Sequence, residues 1–551
     1  MLTEEIRALI EGDVEDSPEI LHQYATDASI FYVQPMIVVF PKSVEDIKRL
    51  VIFAAEEKKK GRDISLTARS AGTDMTGGPL TESILLVFTR YLNHLLEIGE
   101  DYAIVEPGMY YRDFEKETLK KNLFLPSFPG SREICAMGGI VSNNAGGEKT
   151  LRYGKTERYV DTVYMVLSDG NEYPFSKISQ EELLMKKSLQ NFEGQVYRNI
   201  SELINNNYDT IKNAKPNVTK NSSGYALWNV YDKETKTFNL AQLIVGSQGT
   251  LGIITKVRLK LIHPQKNSKL LLIFLKDFSL IGELTRIILP LNPETFETYD
   301  DKTFKLAIKF FPEILRQIKG SIIKIALRTL PEFWIVLTFG VPKLVFLVEF
   351  SAETLKEAQD RAREAKEAIE KNLPGKLKIR IAKSQEEMEA FWVIRRESFN
   401  LLRKHIRGLR TAPFIDDFSV RAELLPEFLP KLYDILSQYK LIYTIAGHVG
   451  DGNLHIIPLM DLSNPKSKQI IKELSKKVYS LVLSFRGAIT SEHNDGIIRT
   501  PFLRQAYGDV VYGLFEKTKN IFDPLNIFNP GKKVSGTFSY AENHLNNRPV
   551  A

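Results

Sequence analysis

The chain has 551 residues, 43 % hydrophobic and 26 % charged, a length that needs two or three cores and a composition ordinary for a globular protein. Cys135 is the one cysteine, which excludes an intrachain disulfide framework and any iron–sulfur cluster held by four cysteines of this polypeptide. The net charge of +6 is concentrated between Lys302 and Val345, where eight basic residues stand against two acidic ones.

The acidic start, MLTEEIRALIEGDVEDSPEI, lacks the basic and apolar regions of a secretory signal, and no uncharged apolar run reaches 18 residues. A cytoplasmic protein is expected. Residues 1–34 read as an N-terminal helical segment. MIVVFP (36–41) is a short apolar strand, and 43–61 places Ile47, Leu50, Val51 and Ala54 on one helical face before Gly61. Strand DISLTA then enters a glycine-rich loop, and further strands follow at ILLVF, AIVEPG, TVYMVLSDG and QLIVGSQGTLGIITKVRLKL. These alternations predict an α+β unit over 35–263. From 264 the texture changes: LLLIFL and KLVFLVEF are strands, 352–372 is a charged helix, and Ser384-Gln385-Glu386-Glu387 is a capping box opening a helix to His405. A separate α+β cap domain is predicted for 264–500, and a C-terminal helical segment with a polar, frayed tail for 501–551.

Three stretches of the first half are dense in glycine and small residues: Arg69 to Gly78, Pro129-Gly130-Ser131 with Met137 to Gly147, and Val245 to Thr255. Such backbone lets a large flat ligand approach closely. The order R-S-A-G-T-D-M-T-G-G, P-G-S, M-G-G-I-V-S-N-N-A-G-G, R-Y-G and G-S-Q-G-T-L-G-I-I-T resembles the FAD-binding domain of the vanillyl-alcohol-oxidase-like flavoproteins. The resemblance implies a two-part FAD-binding domain to which the C-terminal segment returns. It implies that Arg69, Ser70, Ala71, Gly72, Thr73 and Asp74, with Thr76, cradle the pyrophosphate. Gly130, Ser131, Gly138, Gly139, Ser142, Asn144, Gly146, Ile253 and Ile254 would contact the rest of the cofactor. Some relatives attach FAD to a histidine where this chain has Thr73, so non-covalent FAD is expected; Gln248 stands where many have Glu. Cys135 is read as a packing residue.

In LIYTIAGHVGDGNLHIIPLM, Asp451-Gly452 lies between two strand-like runs, the signal for a two-residue hairpin turn. That turn would set His448 directly opposite His455, roughly 5 Å apart at Cβ. Two imidazoles with a carboxylate suit Zn²⁺, with Mn or Fe as alternatives. The pattern G-H-V-G-D-G-N-L-H followed by Glu492-His493 resembles the flavoproteins that dehydrogenate D-lactate, glycolate and D-2-hydroxyglutarate. By that resemblance His448, His455 and Glu492 are metal ligands, His493 is the catalytic base and Asn453 contacts substrate. Asn494 stands where most of that group have Gly.

Arg395 interrupts the apolar stripe Met388, Trp392, Phe399, Leu402, where an unpaired guanidinium costs several kcal/mol. Either it pairs with Asp416 or Asp417, or, as the resemblance implies, it captures the substrate's carboxylate. Phe399 and Ile415 replace the Thr and Lys that D-2-hydroxyglutarate dehydrogenases carry, which favours a monocarboxylate such as D-lactate or glycolate unless Arg410 or Arg421 substitutes. The expected partners are a small 2-hydroxy acid and a non-nicotinamide electron acceptor, a quinone or an electron-transfer protein; no motif supports nucleic acid. Segment 302–345, which interleaves cations with Phe310, Phe311 and Trp334, reads as cap-domain helix or as a peripheral contact on the inner face of a membrane. Two other classes fit the flavin segments: a redox-neutral alkylglycerone-phosphate-synthase-like transferase, and a flavin subunit of a larger electron-transfer complex.

Overall fold

The computed structural model describes residues 2–309, 340–405 and 408–548. Their strands form three sheets. In the first, Ile37–Phe40, Ile84–Val87 and Leu66–Arg69 run parallel in that spatial order. Every residue of the first two strands is buried, as strands covered on both faces must be. Helix Val44–Lys59 supplies one cover, burying the Ile47, Leu50, Val51 and Ala54 stripe.

The second sheet is antiparallel, with Ile253–Lys260 and Val160–Val166 side by side near its middle. Helices Phe192–Asn206 and Leu503–Phe522 bury Val196, Ile200, Phe515 and Phe522 in its core. The third sheet is antiparallel too. Its long strands run in the spatial order Asn267–Leu275, Leu344–Ala352, Thr295–Asp300, Ile442–His448, Asn453–Met460. Along Asn267–Leu275 the period of two sorts the core in half. Leu271, Ile273 and Leu275 face helix Leu355–Asn372, which buries Ala358, Ala362, Ala365 and Ile369, while Leu270, Leu272 and Phe274 face Met388 and Phe391 of helix Gln385–His405. The architecture is α+β, as expected.

Two expectations are corrected. The N-terminal segment is not only helical: Asp13–Glu15 pairs antiparallel with Ile37–Phe40, and Ile6, Ile10 and Val14 join the core of the first sheet. The tail is not frayed up to residue 548. Helix Phe538–Asn543 sets the Phe538 ring 4.9 Å from Phe502, and Leu545 is buried and bridges Phe31. Its apolar residues are too few for a periodic signal but enough to seal the N-terminal segment. Of segment 302–345, residues 310–339, and with them the candidate membrane contact, lie outside the described residues, as does the side chain of Phe399. Among the described residues, no helix is long and apolar enough to cross a membrane.

The C-terminal segment is locked to the glycine loops by one buried cation. Lys519 Nζ donates to Asp523 (2.5 Å), to the carbonyl of Phe528 (2.6 Å) and to that of Thr250 (2.7 Å), while Asp523 also accepts from the amides of Ile527 and Phe528. Lys519→Met leaves Asp523 buried without its cation, and a loss of about 3–5 kcal/mol is expected. Chemical denaturation should show a lower midpoint at unchanged slope.

Candidate functional site

A cavity of about 580 Å³ runs between the glycine loops of the first half and the third sheet. Ser70, Ala71, Gly72, Thr73, Asp74, Gly130, Ser131, Gly138, Gly139, Ser142, Gly146 and Ile254, all named in the sequence analysis as cofactor contacts, line it. A Cβ added at Gly130 or Gly139 would meet nothing within 4 Å, so backbone is presented bare to the cavity there. The loop at 70–78 is held by its own acid: Asp74 accepts from Thr76 N, Thr76 Oγ1, Gly78 N and Asn143 Nδ2.

Four expected cofactor contacts do not reach the cavity. The Arg69 guanidinium turns back to the carbonyls of Tyr24 and Thr26. Thr76 is buried on Asp74. Asn144 ends helix Met137–Asn143 at φ +51, and its side chain is engaged with Glu157. Ile253 faces the core of the first sheet, because adjacent strand residues point opposite ways and Ile254 takes the cavity side. Cys135 packs in the second-sheet core while edging the cavity, and burial raises its thiol to about 12, consistent with a packing role.

At its other end the same cavity meets His448, His455, Glu492 and His493. The hairpin is not the two-residue turn expected. His448 pairs with Asn453, and Ala446 with His455, so four residues form the loop and the two histidines are diagonal neighbours on one face. Val449–Asp451 makes a 3-10 turn closed by Gly452 at φ +65, where a Cβ would lie 1.7 Å from the carbonyl of Val420. Asp451 is pulled inward by Lys220 at 3.1 Å instead of standing at an exposed tip. The rings still meet, centroids 5.2 Å apart.

Each histidine is oriented through Nδ1. Glu297 holds His448 at 2.5 Å, and Asp416 holds His455 at 3.1 Å, which leaves Nε2 of both for a cation. Donor atoms of His448, His455 and Glu492 lie within 4.8 Å of one another, so the residues fit a divalent metal. Glu492 Oε1 also accepts from Lys220 Nζ at 2.6 Å, and Lys220 is fully buried. Burial would raise the Glu492 carboxyl, but Lys220 and His448 hold it well below the usual range. Burial would likewise depress His448, yet Glu297 lifts it to about 9. His493 Nδ1 lies 2.9 Å from the second oxygen of Asp416, and its ring stacks on His455 at 5.2 Å. Against the cost of burial, Asp417 and Asp416 lift His493 to about 9.

The loop carrying Glu492 and His493 is shaped by Asp417, itself at φ +64. Its Oδ2 accepts from Thr490 Oγ1 and from the amides of Ser491, Glu492 and His493, at 2.7–3.0 Å. Asn494 sits at φ +71, a conformation asparagine tolerates nearly as glycine does, and its amide donates to the carbonyls of Gly246 and Asn143. Gln248 accepts from Gly496 N while donating to Asn143 Oδ1, two roles an ionised glutamate does not combine.

Arg395 lines the cavity, but its protein partner is Glu297 at 3.1 Å, not Asp416 or Asp417. Its buried Nε has no hydrogen-bond partner among the described residues. Asn453 is fully buried and donates to Asp417 Oδ1 and the carbonyl of Phe418, so it positions the loop and does not face the cavity. Arg410, on a two-residue strand pairing with Leu459 and Met460, is likewise outside the lining. Glu297, Lys220, Glu148 and Arg396 were not foreseen. Glu297 had a signal, an acid within the strand-like run TFETYD; Lys220 had none, since its acidic partners lie more than 230 positions away.

Two domain families match this chain: residues 35–174 match the FAD binding domain, and 264–533 the C-terminal domain of FAD linked oxidases. Together the two matches span most of the chain, which carries the domain pair of FAD-linked oxidases. The D-2-hydroxyglutarate dehydrogenase of Pseudomonas putida is 25 % identical over 92 % of this chain, which spans only 49 % of that relative's length. Glycolate oxidase subunit GlcD of Bacillus subtilis is 26 % identical, covering 92 % of this chain and 91 % of its own, and the D-lactate dehydrogenase of Archaeoglobus fulgidus is 25 % identical over 90 % and 91 %. In fold the chain resembles the 4-ethylphenol oxidase of Gulosibacter chungangensis, at TM-score 0.66 and 16 % identity over 97 % of this chain and 96 % of the other. The bare backbone at Gly130 and Gly139 and the volume of the cavity fit FAD.

Two outcomes follow from the oriented histidines. Glu297→Gln removes the carboxylate behind His448, and metal affinity is expected to fall about 10–100-fold in competition with a chelating dye. In chelated protein, raised values for His448 and His493 mean that the folded state binds protons more tightly than the unfolded one. Their stabilisation is complete below about 6.5 and is lost as pH rises through about 9, so the thermal midpoint should drop across that window.

Proposed function

We propose that the oxidase converts a small D-2-hydroxy acid to the 2-oxo acid, with D-lactate or glycolate favoured over D-2-hydroxyglutarate. It would use non-covalent FAD and a divalent metal, Zn²⁺ by preference, and pass electrons to a quinone or other non-nicotinamide acceptor. The observation that carries the reading is that one cavity is lined both by the glycine cradle and by His448, His455, Glu492 and His493. A substrate between them faces a cofactor on one side and a base on the other.

The bound cofactors supply a two-electron acceptor and a Lewis acid for the hydroxyl. The chain's own groups do the rest. His448 and His455 Nε2 and the Glu492 carboxylate would hold the metal. Arg395, open at Nε, takes the acid's carboxylate. His493 takes the hydroxyl proton. Asp416 makes its imidazole a stronger base, and a cation beside Glu492 pulls it back towards neutrality. Thr73 at the cradle offers no ring nitrogen to bond the flavin.

Anaerobic mixing with D- and L-2-hydroxy acids tests the reading: the D-acids bleach the flavin absorbance, and His493→Ala stays yellow while bleaching about 10²–10⁴-fold more slowly. A flavin that remains oxidised with every acid is the result expected of a redox-neutral transferase instead.

A further inference from the structure

Beside Arg395 stands a second guanidinium that the reaction leaves without a task. Arg396 also lines the cavity, with its side chain 47 % exposed at the rim. Glu148 holds it in a fork, Nε to Oε2 at 3.1 Å and NH2 to Oε1 at 2.5 Å, over the ring of Trp392 at 5.1 Å. This fork is not remote from the chemistry. Glu148 lies two residues after Gly146, where a Cβ would sit 3.1 Å from Glu492 Oε1. Glu148 is itself a cavity residue, only 15 % exposed.

Charge decides what such an end of a cavity accepts. Arg395 and Arg396 are the arginines of the described lining, no lysine joins them, and each already faces one carboxylate, Glu297 and Glu148. The carboxylate of a 2-hydroxy acid finds Arg395 with Nε open. A second carboxylate on the same substrate finds only Arg396, neutralised, with Glu148 repelling it. Thr444, Ala446 and Ile457 also line the cavity and carry no charge. We propose that Glu148 is a specificity-determining residue: by occupying Arg396 it excludes 2-hydroxy dicarboxylates and keeps the cavity selective for monocarboxylic 2-hydroxy acids. The inference rests on the 2-hydroxy-acid reading above and assigns it a substrate class.

The test is anaerobic flavin reduction in the FAD-loaded full chain by D-lactate and by D-2-hydroxyglutarate. Wild type reduces faster with D-lactate. Glu148→Gln keeps the shape of the fork but loses its charge, and raises the ratio of kcat/KM for the dicarboxylate over the monocarboxylate roughly tenfold or more, as a newly available charge pair does. Adding Arg396→Gln to that variant abolishes the gain. Glu148→Ala serves as the second variant if Glu148→Gln fails to retain flavin. An unchanged ratio, a gain that survives loss of Arg396, or a wild type that prefers the dicarboxylate overturns the inference alone. A wild-type flavin that neither acid bleaches overturns it together with the reading it rests on.

Discussion

One carboxylate holds the candidate site together. Asp417 is fully buried, and an isolated charge there would be untenable. Its Oδ2 gathers the Thr490 hydroxyl and three consecutive amides, including those of Glu492 and His493, and its Oδ1 receives the Asn453 side chain from the hairpin. The loop bearing Glu492 and His493 is thereby fixed to the hairpin bearing His448 and His455. Because the donors are mostly backbone, loop shape depends on Asp417 more than on side chains within the loop.

Around that anchor the three sheets are cross-tied by buried polar groups. Lys220 joins Asp451 of the hairpin to Glu492, and Lys533 joins Asp495 to the carbonyls of Ser222 and Gly224. Gln248 ties the cradle to Gly496. These groups find partners in distant parts of the chain, so the cradle and the cluster are held in one geometry by the same network. Preorganisation of that kind is what a reaction between a bound cofactor and a bound acid requires.

The fold class and much of the cavity wall were legible in the sequence because they rest on local rules. Stripes such as Ile47, Leu50, Val51 and Ala54 announce helices, and glycine marks places where backbone must stay bare. Arg395 was legible as a charge interrupting an apolar stripe. Its partner was not, since Glu297 reaches it from another strand of the tertiary structure. The hairpin shows the boundary sharply. Asp451-Gly452 did mark a reversal, but Lys220 draws Asp451 inward, and that long-range pull lengthens the loop to four residues. Strand alternation alone would have separated Ile254 from Ile253; the inward turn of Arg69 needed the N-terminal segment in place.

Asp416 serves two masters. One oxygen orients His455, a candidate ligand, and the other lies against His493, the candidate base. On the proposed reading, metal binding through His455 and proton transfer through His493 therefore share one carboxylate. A sequence change that strengthens one through Asp416 necessarily moves the other, so selection on either property is selection on both.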